Sequence, residues 1–419
     1  MPPREGLDCD VVIVGGGPGG GALARLLAQL SYSVVLLESA SAIREQYRAE
    51  LIQPSSLAPL RAAGVVGRLR AMARHVEGME VFGKRRRLFR VDYSELSEGT
   101  TLMSIPIHET RRVLLEKDVP PGMTVRMGAK VNGLIKEGDA IRGVTYRDSA
   151  GEQARVRARL VIGADGRNSV VRKSAGIEAE EKKYDVQIIT MNAHCEDDWL
   201  NHLRLHVHDK RFMALAPATD GDVRVAWAIP TGHFNELRKQ PIGDLVDELV
   251  AHEAYVADWV KQVDAWDKVH LQPLNTAFAR EWARDGLLLV GDAAHAVSPF
   301  GGQGLNMALH DALIASPIIA EALSANDVPP AAILGRLMEM RAGAARTILK
   351  GGDLALTVFG PKFPQPVRET AMGFGGKVRG PNRFMLPNLA LGTSGVRRQL
   401  AEADERYTAL LDKPVTVSS

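Results

Sequence analysis

Six glycines, at positions 15, 16, 17, 19, 20 and 21, stand between the apolar run Val11 to Val14 and an alanine- and leucine-rich stretch that ends at Leu30. Gly15, Gly17 and Gly20 keep the spacing G-x-G-x-x-G. In that pattern the first glycine permits a tight turn, the second admits a pyrophosphate and the third lets a helix pack on a strand. The helix that follows turns free N–H groups and a positive dipole end toward a phosphate. A second apolar run, Val34 to Leu37, ends in Glu38, 21 residues beyond Gly17. A dinucleotide fold places there the carboxylate that accepts hydrogen bonds from a ribose. The chemistry these residues support is dinucleotide binding.

Two later strand ends repeat the theme. Arg159 to Ile162 runs into Gly163-Ala164-Asp165-Gly166-Arg167-Asn168-Ser169, and Leu287 to Val290 runs into Gly291-Asp292-Ala293-Ala294-His295. An acid between glycines at the end of a strand can meet a sugar hydroxyl or order a loop by accepting backbone N–H bonds. Pro299-Phe300-Gly301-Gly302-Gln303-Gly304 then precedes a helix beginning near Leu305, again leaving N–H groups free to stabilise negative charge. Three such strand ends suit a large dinucleotide held along its whole length better than one nicotinamide cofactor in one crevice.

These loops need strands beneath them and helices behind them. Residues 1–75 read as strand, helix and strand, then a polar connection from Ser39 to Pro54, then helix from Ser55. Met79 to Phe82, Leu88 to Val91 and Thr100 to Ile105 read as antiparallel strands. An α/β pattern returns with helix over 108–117 and strands near Thr124 to Val131 and Ala140 to Tyr146. Strands dominate again at Val186 to His194, Phe212 to Ala216 and Val223 to Ile229, followed by a helical stretch from Ile242 to Val263. The tail beyond 330 is mainly helical, broken by prolines 361, 364 and 366. The expected fold is α/β, a Rossmann-like lobe (1–75, 107–181 and 276–330) interrupted by a β-sheet substrate lobe (76–106 and 182–275), with a helical C-terminal region (331–419).

Composition narrows the class. The 419 residues suggest roughly two or three lobes, and 52 Lys plus Arg against 50 Asp plus Glu leave a net charge of +2, which argues against a nucleic-acid partner. The one dense basic cluster, Lys84 to Arg87, reads as a solvated hairpin or as a landing place for cofactor phosphates. Cys9 and Cys195 are the only cysteines, too few for a disulfide framework, so a reducing, cytoplasmic setting is expected. No signal peptide is evident, and no run approaches the ~20 apolar residues that span a bilayer. The stretch Phe384 to Leu391, with Pro387 inside it, reads as part of a packed C-terminal lobe.

Taken jointly and in order, GGGPGG with Glu38, GADGRNSVVR and GDAAHAVSPFGGQGLN resemble the single-component flavoprotein monooxygenases built on the para-hydroxybenzoate hydroxylase fold. The resemblance implies FAD, with a glutathione-reductase-type lobe to hold it. Gly15, Gly17, Pro18 and Gly20 would meet the pyrophosphate, Glu38 and Ser39 the adenosine ribose, and Asp292 the ribityl chain or pyrophosphate. Asp165 would tie a loop serving both FAD and incoming NADPH. Pro299, Gly301, Gly302, Gly304 and Leu305 would lie beside the isoalloxazine. Arg48-Ala49-Glu50-Leu51-Ile52-Gln53-Pro54 and His108-Glu109-Thr110-Arg111 resemble the squalene epoxidase and ubiquinone hydroxylase branch. They imply that Arg48 lies by the flavin and that Arg111, rather than Arg112, makes a second FAD contact; Val131 would contact the adenine through its backbone. The implied reaction uses NADPH or NADH as transient reductant and inserts one oxygen atom of O₂ into a small aromatic or polycyclic molecule through a flavin C4a-hydroperoxide. The catalytic base is not evident, and the assembly expected is a monomer or homodimer.

Other readings share parts of this pattern. Val225-Ala226-Trp227-Ala228-Ile229-Pro230 resembles the flavin-dependent halogenase pattern W-x-W-x-I-P except at its first position, where valine stands. An isoprenoid double-bond reductase shares the FAD lobe, and a prenyl-protein escort shares the fold as a binding module. His295 reads as a structural hydrogen-bonding residue. His194, His202, His206 and His208 could be imagined as metal ligands, since His206 and His208 share a strand face, but they read as surface or pocket histidines and no metal is expected. Trp227, Trp259, Trp266 and Trp282 read as core, and Glu50 as an ion-pair or proton-transfer group.

Overall fold

The computed structural model describes residues 8–45, 49–84, 86–95, 101–195, 201–208, 211–299, 302–359 and 392–412. Arg48, Arg85, Phe300, Gly301, the prolines at 361, 364 and 366 and the stretch Phe384 to Leu391 lie outside those residues.

Continuous burial marks the central strands. Cys9–Val14 is buried at every position, and four of five positions of Val34–Glu38 are buried, as expected where helices cover both faces of a parallel sheet. The sheet runs in the order Ala283–Arg284, Leu287–Leu289, Gln153–Gly163, Cys9–Val14, Val34–Glu38, Met123–Met127, parallel throughout except for the first pair. Gln153–Gly163 changes character halfway. Its first half alternates in burial and pairs antiparallel with the meander strand Ala140–Arg147, while its second half is buried throughout and joins the parallel sheet.

A second sheet of seven strands runs His270–Ala279, Ala179–His194, Asp222–Pro230, Arg211–Pro217, His202–His208, Gly78–Phe82, Arg87–Asp92. All its pairs are antiparallel except His202–His208 with Gly78–Phe82, which joins the early hairpin to the later strands. One face packs on the helix Ile242–His252 around the buried Trp227 and Trp259. The other face is the wall of a cavity.

The segment near Thr100 to Ile105 is an antiparallel strand as expected: Leu102–Pro106 pairs with Ala49–Ile52 and Arg74–Val76 in a separate three-stranded sheet. Two expectations need correction. The three-stranded sheet puts a strand inside the supposed polar connection Ser39 to Pro54. The segment Thr124 to Val131 is two strands, Met123–Met127 and Lys130–Glu137, broken at Gly128, whose φ of +69° favours glycine.

Helix Pro18–Gln29 packs against helix Gln303–Ala325, and helix Ser394–Leu411 packs on the latter. Tyr407 fastens this layer by donating from its hydroxyl to Leu26 O at 3.1 Å and Gln29 Oε1 at 2.7 Å. By length and composition Gln303–Ala325 could cross a membrane, but 83% of its most apolar window is buried inside the fold. It is a core helix. Cys9 and Cys195 are free and buried, and burial pushes the Cys9 thiol up to about 12.

Candidate cofactor and substrate site

The glycines of the first turn divide by what surrounds them. A Cβ on Gly15 would lie 2.3 Å from Ala164 O, and one on Gly20 would lie 2.2 Å from Gly15 O. Both glycines serve the contact of strand, turn and helix. Gly17 differs, because a Cβ there meets nothing within 4 Å, and the residue lines a cavity of about 420 Å³. Gly17 is also the N-cap of helix Pro18–Gln29, and no side chain caps it. The open side of the turn is thus a helix N-terminus facing empty space, the surroundings a pyrophosphate needs.

Glu38 stands beside that turn. Its Oε2 accepts from Gly16 N–H at 2.8 Å and pairs with Arg111 at 3.2 Å, while its Oε1 accepts from Ala40 N–H at 2.8 Å and Ser39 Oγ at 3.2 Å. Arg111 also donates to Gly16 O at 2.9 Å. Arg112, by contrast, pairs with Glu109 on its own helix. Ala129 N–H donates to Glu38 O at 2.8 Å, which brings the start of Lys130–Glu137 next to this acid. Val131 itself is buried and does not line the cavity.

The second and third motifs interlock. Asp165 does not line the cavity; its carboxylate accepts from Ser169 Oγ at 2.5 Å and from the N–H groups of Val170 and Val171 at 2.7 and 3.1 Å. It fixes the loop. Arg167 donates to Asn275 O and Oδ1 at 3.0 and 2.9 Å and faces Asp292 Oδ2 at 3.5 Å. Buried Arg172 donates to Ala293 O at 2.9 Å. Asp292, Pro299, Gly302, Gly304 and Leu305 all line the same cavity as Gly17.

Two residues of helix Gln303–Ala325 hold this arrangement, Asn306 at the end of the third motif and Asp311 beyond it. Asn306 is fully buried: its Oδ1 accepts from Gln53 N–H at 2.8 Å and Ser56 Oγ at 2.7 Å, and its Nδ2 donates to Leu51 O at 2.9 Å and Gly302 O at 2.7 Å. Asp311, one helix turn and a residue further on, accepts from Gly291 N–H at 3.0 Å and His295 Nε2 at 2.6 Å through Oδ2 and from Arg341 Nε at 2.8 Å through Oδ1. Burial alone would raise the Asp311 carboxyl, but His295 and Arg341 outweigh it and hold the group below the ordinary carboxylate range. Gly291 has φ +58° and ψ −141°, and Asp311 secures that glycine-favouring bend from behind. The visible signal in the sequence is the set Asn306, His310 and Asp311 inside an otherwise apolar helix.

The remaining polar candidates have local partners. His202 meets Asp92 at 2.9 Å, His206 meets Glu253 at 2.8 Å and stacks on Phe82, and His194 faces Asp222 at 3.4 Å. Among the described residues no group of three or more His, Cys, Asp or Glu is placed to hold a metal ion. Trp227, Trp259 and Trp282 are buried in the two main cores, Trp266 is partly buried, and Arg87 of the basic hairpin pairs with Glu80 at 2.6 Å. Glu50 lines the cavity.

Beyond Pro299 and Leu305 the cavity continues without a wall into the β lobe. There it is lined by Met79, Leu203, Leu205, Phe212, Ala214 and Ala226 among others. The part of the cavity lined by the glycine motifs therefore opens into a largely apolar room, the layout of an enzyme that brings a cofactor ring to an organic substrate.

Residues 8–329 match the FAD binding domain family, and the chain belongs to that family. It is 34% identical to 6-methylpretetramide 4-monooxygenase of Streptomyces rimosus over 78% of this chain and 79% of that protein. It is 27% identical to 3-demethoxyubiquinol 3-hydroxylase of Escherichia coli over 86% and 92% of the two chains. Among solved structures, PqsL of Pseudomonas aeruginosa superposes with a TM-score of 0.75 at 23% identity, covering 87% of this chain and 99% of that one. The fold is that of the para-hydroxybenzoate hydroxylase type, and the protein is a FAD-dependent aromatic monooxygenase.

Proposed function

We propose that the chain uses NADH or NADPH and O₂ to hydroxylate a small aromatic or polycyclic molecule held in the β lobe, in the cytoplasm and as part of secondary or aromatic metabolism. The observation that carries this reading is the single cavity running from Gly17 past Asp292 and Gly302 to the apolar face of the seven-stranded sheet. The relative from Streptomyces rimosus, named for a 4-monooxygenation of 6-methylpretetramide, supports a substrate of that class.

FAD, when bound, supplies hydride acceptance from the nicotinamide and oxygen activation at flavin C4a. The chain's residues would do the rest. Gly17 leaves room for the pyrophosphate, and the N-terminus of Pro18–Gln29 faces it with unpaired N–H groups. Glu38 would receive the ribose hydroxyls by exchanging its two longer contacts, Ser39 Oγ and Arg111, both at 3.2 Å. Asp292 would take the ribityl chain or pyrophosphate. Gly302 opens the 23-residue helix Gln303–Ala325 toward the cavity, so its dipole would favour negative charge on a ring seated there. The apolar walls of the β lobe would exclude water from the reacting oxygen.

The test is NADH and NADPH consumption by FAD-loaded enzyme in air with a panel of phenols, quinolones and polyketide-like aromatics, with hydrogen peroxide assayed in parallel. A compound that accelerates consumption while peroxide stays low supports the reading. If neither nicotinamide reduces the bound flavin with any compound present, self-contained NAD(P)H-dependent hydroxylation is wrong and a partner reductase takes its place.

A further inference from the structure

Alternate residues of the seven-stranded sheet face the chamber, so strand register fixes its wall. Thr190 pairs with Ala226, Ala226 with Ala214 and Ala214 with Leu205, a row with small side chains at its middle. In the neighbouring row Asn192 pairs with Arg224 and Arg224 with Ala216; Arg204 opposite Leu215 then brings Leu203 beside Ala216, and Leu203 pairs with Met79. Arg224 is buried in this row and donates from Nε and Nη2 to Asn192 Oδ1 at 3.2 and 3.1 Å. A polar group thus enters one end of an apolar wall.

Tyr93 lies across the wall from it, beside Met79 and Leu203. It follows the strand Arg87–Asp92 in a 3-10 turn and belongs to the small cluster with Val76, Val91 and Leu102, against which Met79 and Leu203 pack. It is 6% exposed and lines the chamber. Its hydroxyl makes no hydrogen bond to any described residue. Burial, the one influence acting on it, pushes its pKa up, so the group is a neutral hydroxyl able both to donate and to accept. The oxygen is not among the side-chain atoms that are fully enclosed without a partner, so it keeps accessible surface, and a ligand oxygen in the chamber can reach it to form a hydrogen bond.

We propose that the Tyr93 hydroxyl, at the Met79 and Leu203 side of the chamber, orients the substrate by hydrogen-bonding an oxygen carried on its aromatic ring, a phenolic hydroxyl or a ring carbonyl. This inference rests on the reading of the chamber as the substrate site. It makes Tyr93 a discriminator between oxygenated rings and hydrocarbons of equal size, because a buried hydroxyl facing a methyl group stays unpaired.

The test uses the oxidised holoenzyme and two compounds of matched shape, 1-naphthol and 1-methylnaphthalene, with binding read from the perturbed absorbance of the bound flavin and thermal unfolding followed in parallel. The wild type is expected to prefer 1-naphthol, and Tyr93→Phe to lose roughly three- to tenfold of that preference, the worth of one neutral hydrogen bond. Its melting temperature is expected to stay level or rise, since the lost hydroxyl had no protein partner. A structural role moves stability the other way. An undiminished preference for 1-naphthol in Tyr93→Phe, with or without a lowered melting temperature, overturns the inference while leaving the chamber as the substrate site. If neither compound perturbs the wild-type flavin, the chamber reading fails and Tyr93 falls with it.

Discussion

Gly17→Ala separates the fold from the cofactor in a way no other glycine of the first turn allows. The residue has φ −73° and ψ 172°, ordinary extended backbone, and a Cβ added there meets no atom within 4 Å. Replacing glycine where the backbone suits alanine stabilises by about 0.4–1 kcal/mol through the unfolded chain. Alanine is a poorer N-cap than glycine by roughly a similar amount, so the apoprotein should keep its stability to within about 1 kcal/mol. The new methyl group, however, occupies the space through which a pyrophosphate approaches the helix. Overpacking of that kind costs about 1–3 kcal/mol, or roughly 5- to 150-fold in FAD affinity. Gly15→Ala provides the contrast, since φ +110° and a carbonyl oxygen 2.3 Å from the added carbon strain the fold itself; strain and overlap together cost about 2–6 kcal/mol. The assay titrates apoprotein with FAD by flavin fluorescence while urea unfolding is measured on the same preparations. Wild-type FAD affinity in Gly17→Ala, or unfolding of that variant as severe as in Gly15→Ala, would refute the assignment of the open glycine to the pyrophosphate.

Asp292→Ala should leave a folded chain that purifies with little FAD, because the side chain lines the cavity and its ion-pair contact among the described residues, to Arg167, is 3.5 Å long; full flavin occupancy would remove the residue from the cofactor site. Asp311→Asn should lower unfolding free energy by about 3–5 kcal/mol, the cost of stripping one partner from a buried ion pair, measured by urea denaturation. Because the Asp311 carboxyl titrates below its ordinary 3.8, its contribution is complete above that pH and fades only as pH falls through the lower folded value. The gap between wild type and Asp311→Asn should therefore stay constant from about pH 5 to 8, and a gap that closes near neutrality contradicts the assignment. His310 has the same sign but acts in a higher pH window: burial first, then Arg341, pushes it from 6.5 down to about 3. Between those values the unfolded chain binds a proton that the native chain does not, so wild-type stability should fall with decreasing pH by about 1.4 kcal/mol per unit. His310→Gln should lose that component of the slope, and an unchanged slope would show that His310 is protonated in the native state.

How much of this was legible depended on sequence separation. The turn at Gly15, Gly17 and Gly20 is a local event whose parts lie within one strand and one helix, and the spacing to Glu38 adds only the next strand, Val34–Glu38. Such features leave fixed offsets in a sequence. The tie between Asn306 and Gln53, or between Arg25 and Ala63 O, leaves none. The same limit applies to Leu102–Pro106: the sequence marks a strand there, but only its partners Ala49–Ile52 and Arg74–Val76 set it in a sheet apart from the hairpin. Asp165 shows a different limit, since an acid between glycines suits a ligand or a loop equally well and its three donors here all come from residues 169–171.

The two halves of the site also differ in what the chain has to specify. FAD carries the hard chemistry, so the protein must supply a phosphate turn, an acid and a helix start, each of which demands particular residue types at particular places. The substrate room demands only width, dryness and a few polar points. Width comes from Ala214, Ala216 and Ala226, which taken singly are unremarkable strand residues and acquire meaning only when antiparallel register sets them side by side. The parallel pairing of His202–His208 with Gly78–Phe82 then brings Met79 into the same wall from more than a hundred residues away. A cofactor cradle can therefore be read from a motif, whereas a substrate has to be read from a surface, and on this surface the unpartnered oxygen of Tyr93 is the point at which one ring can be told from another.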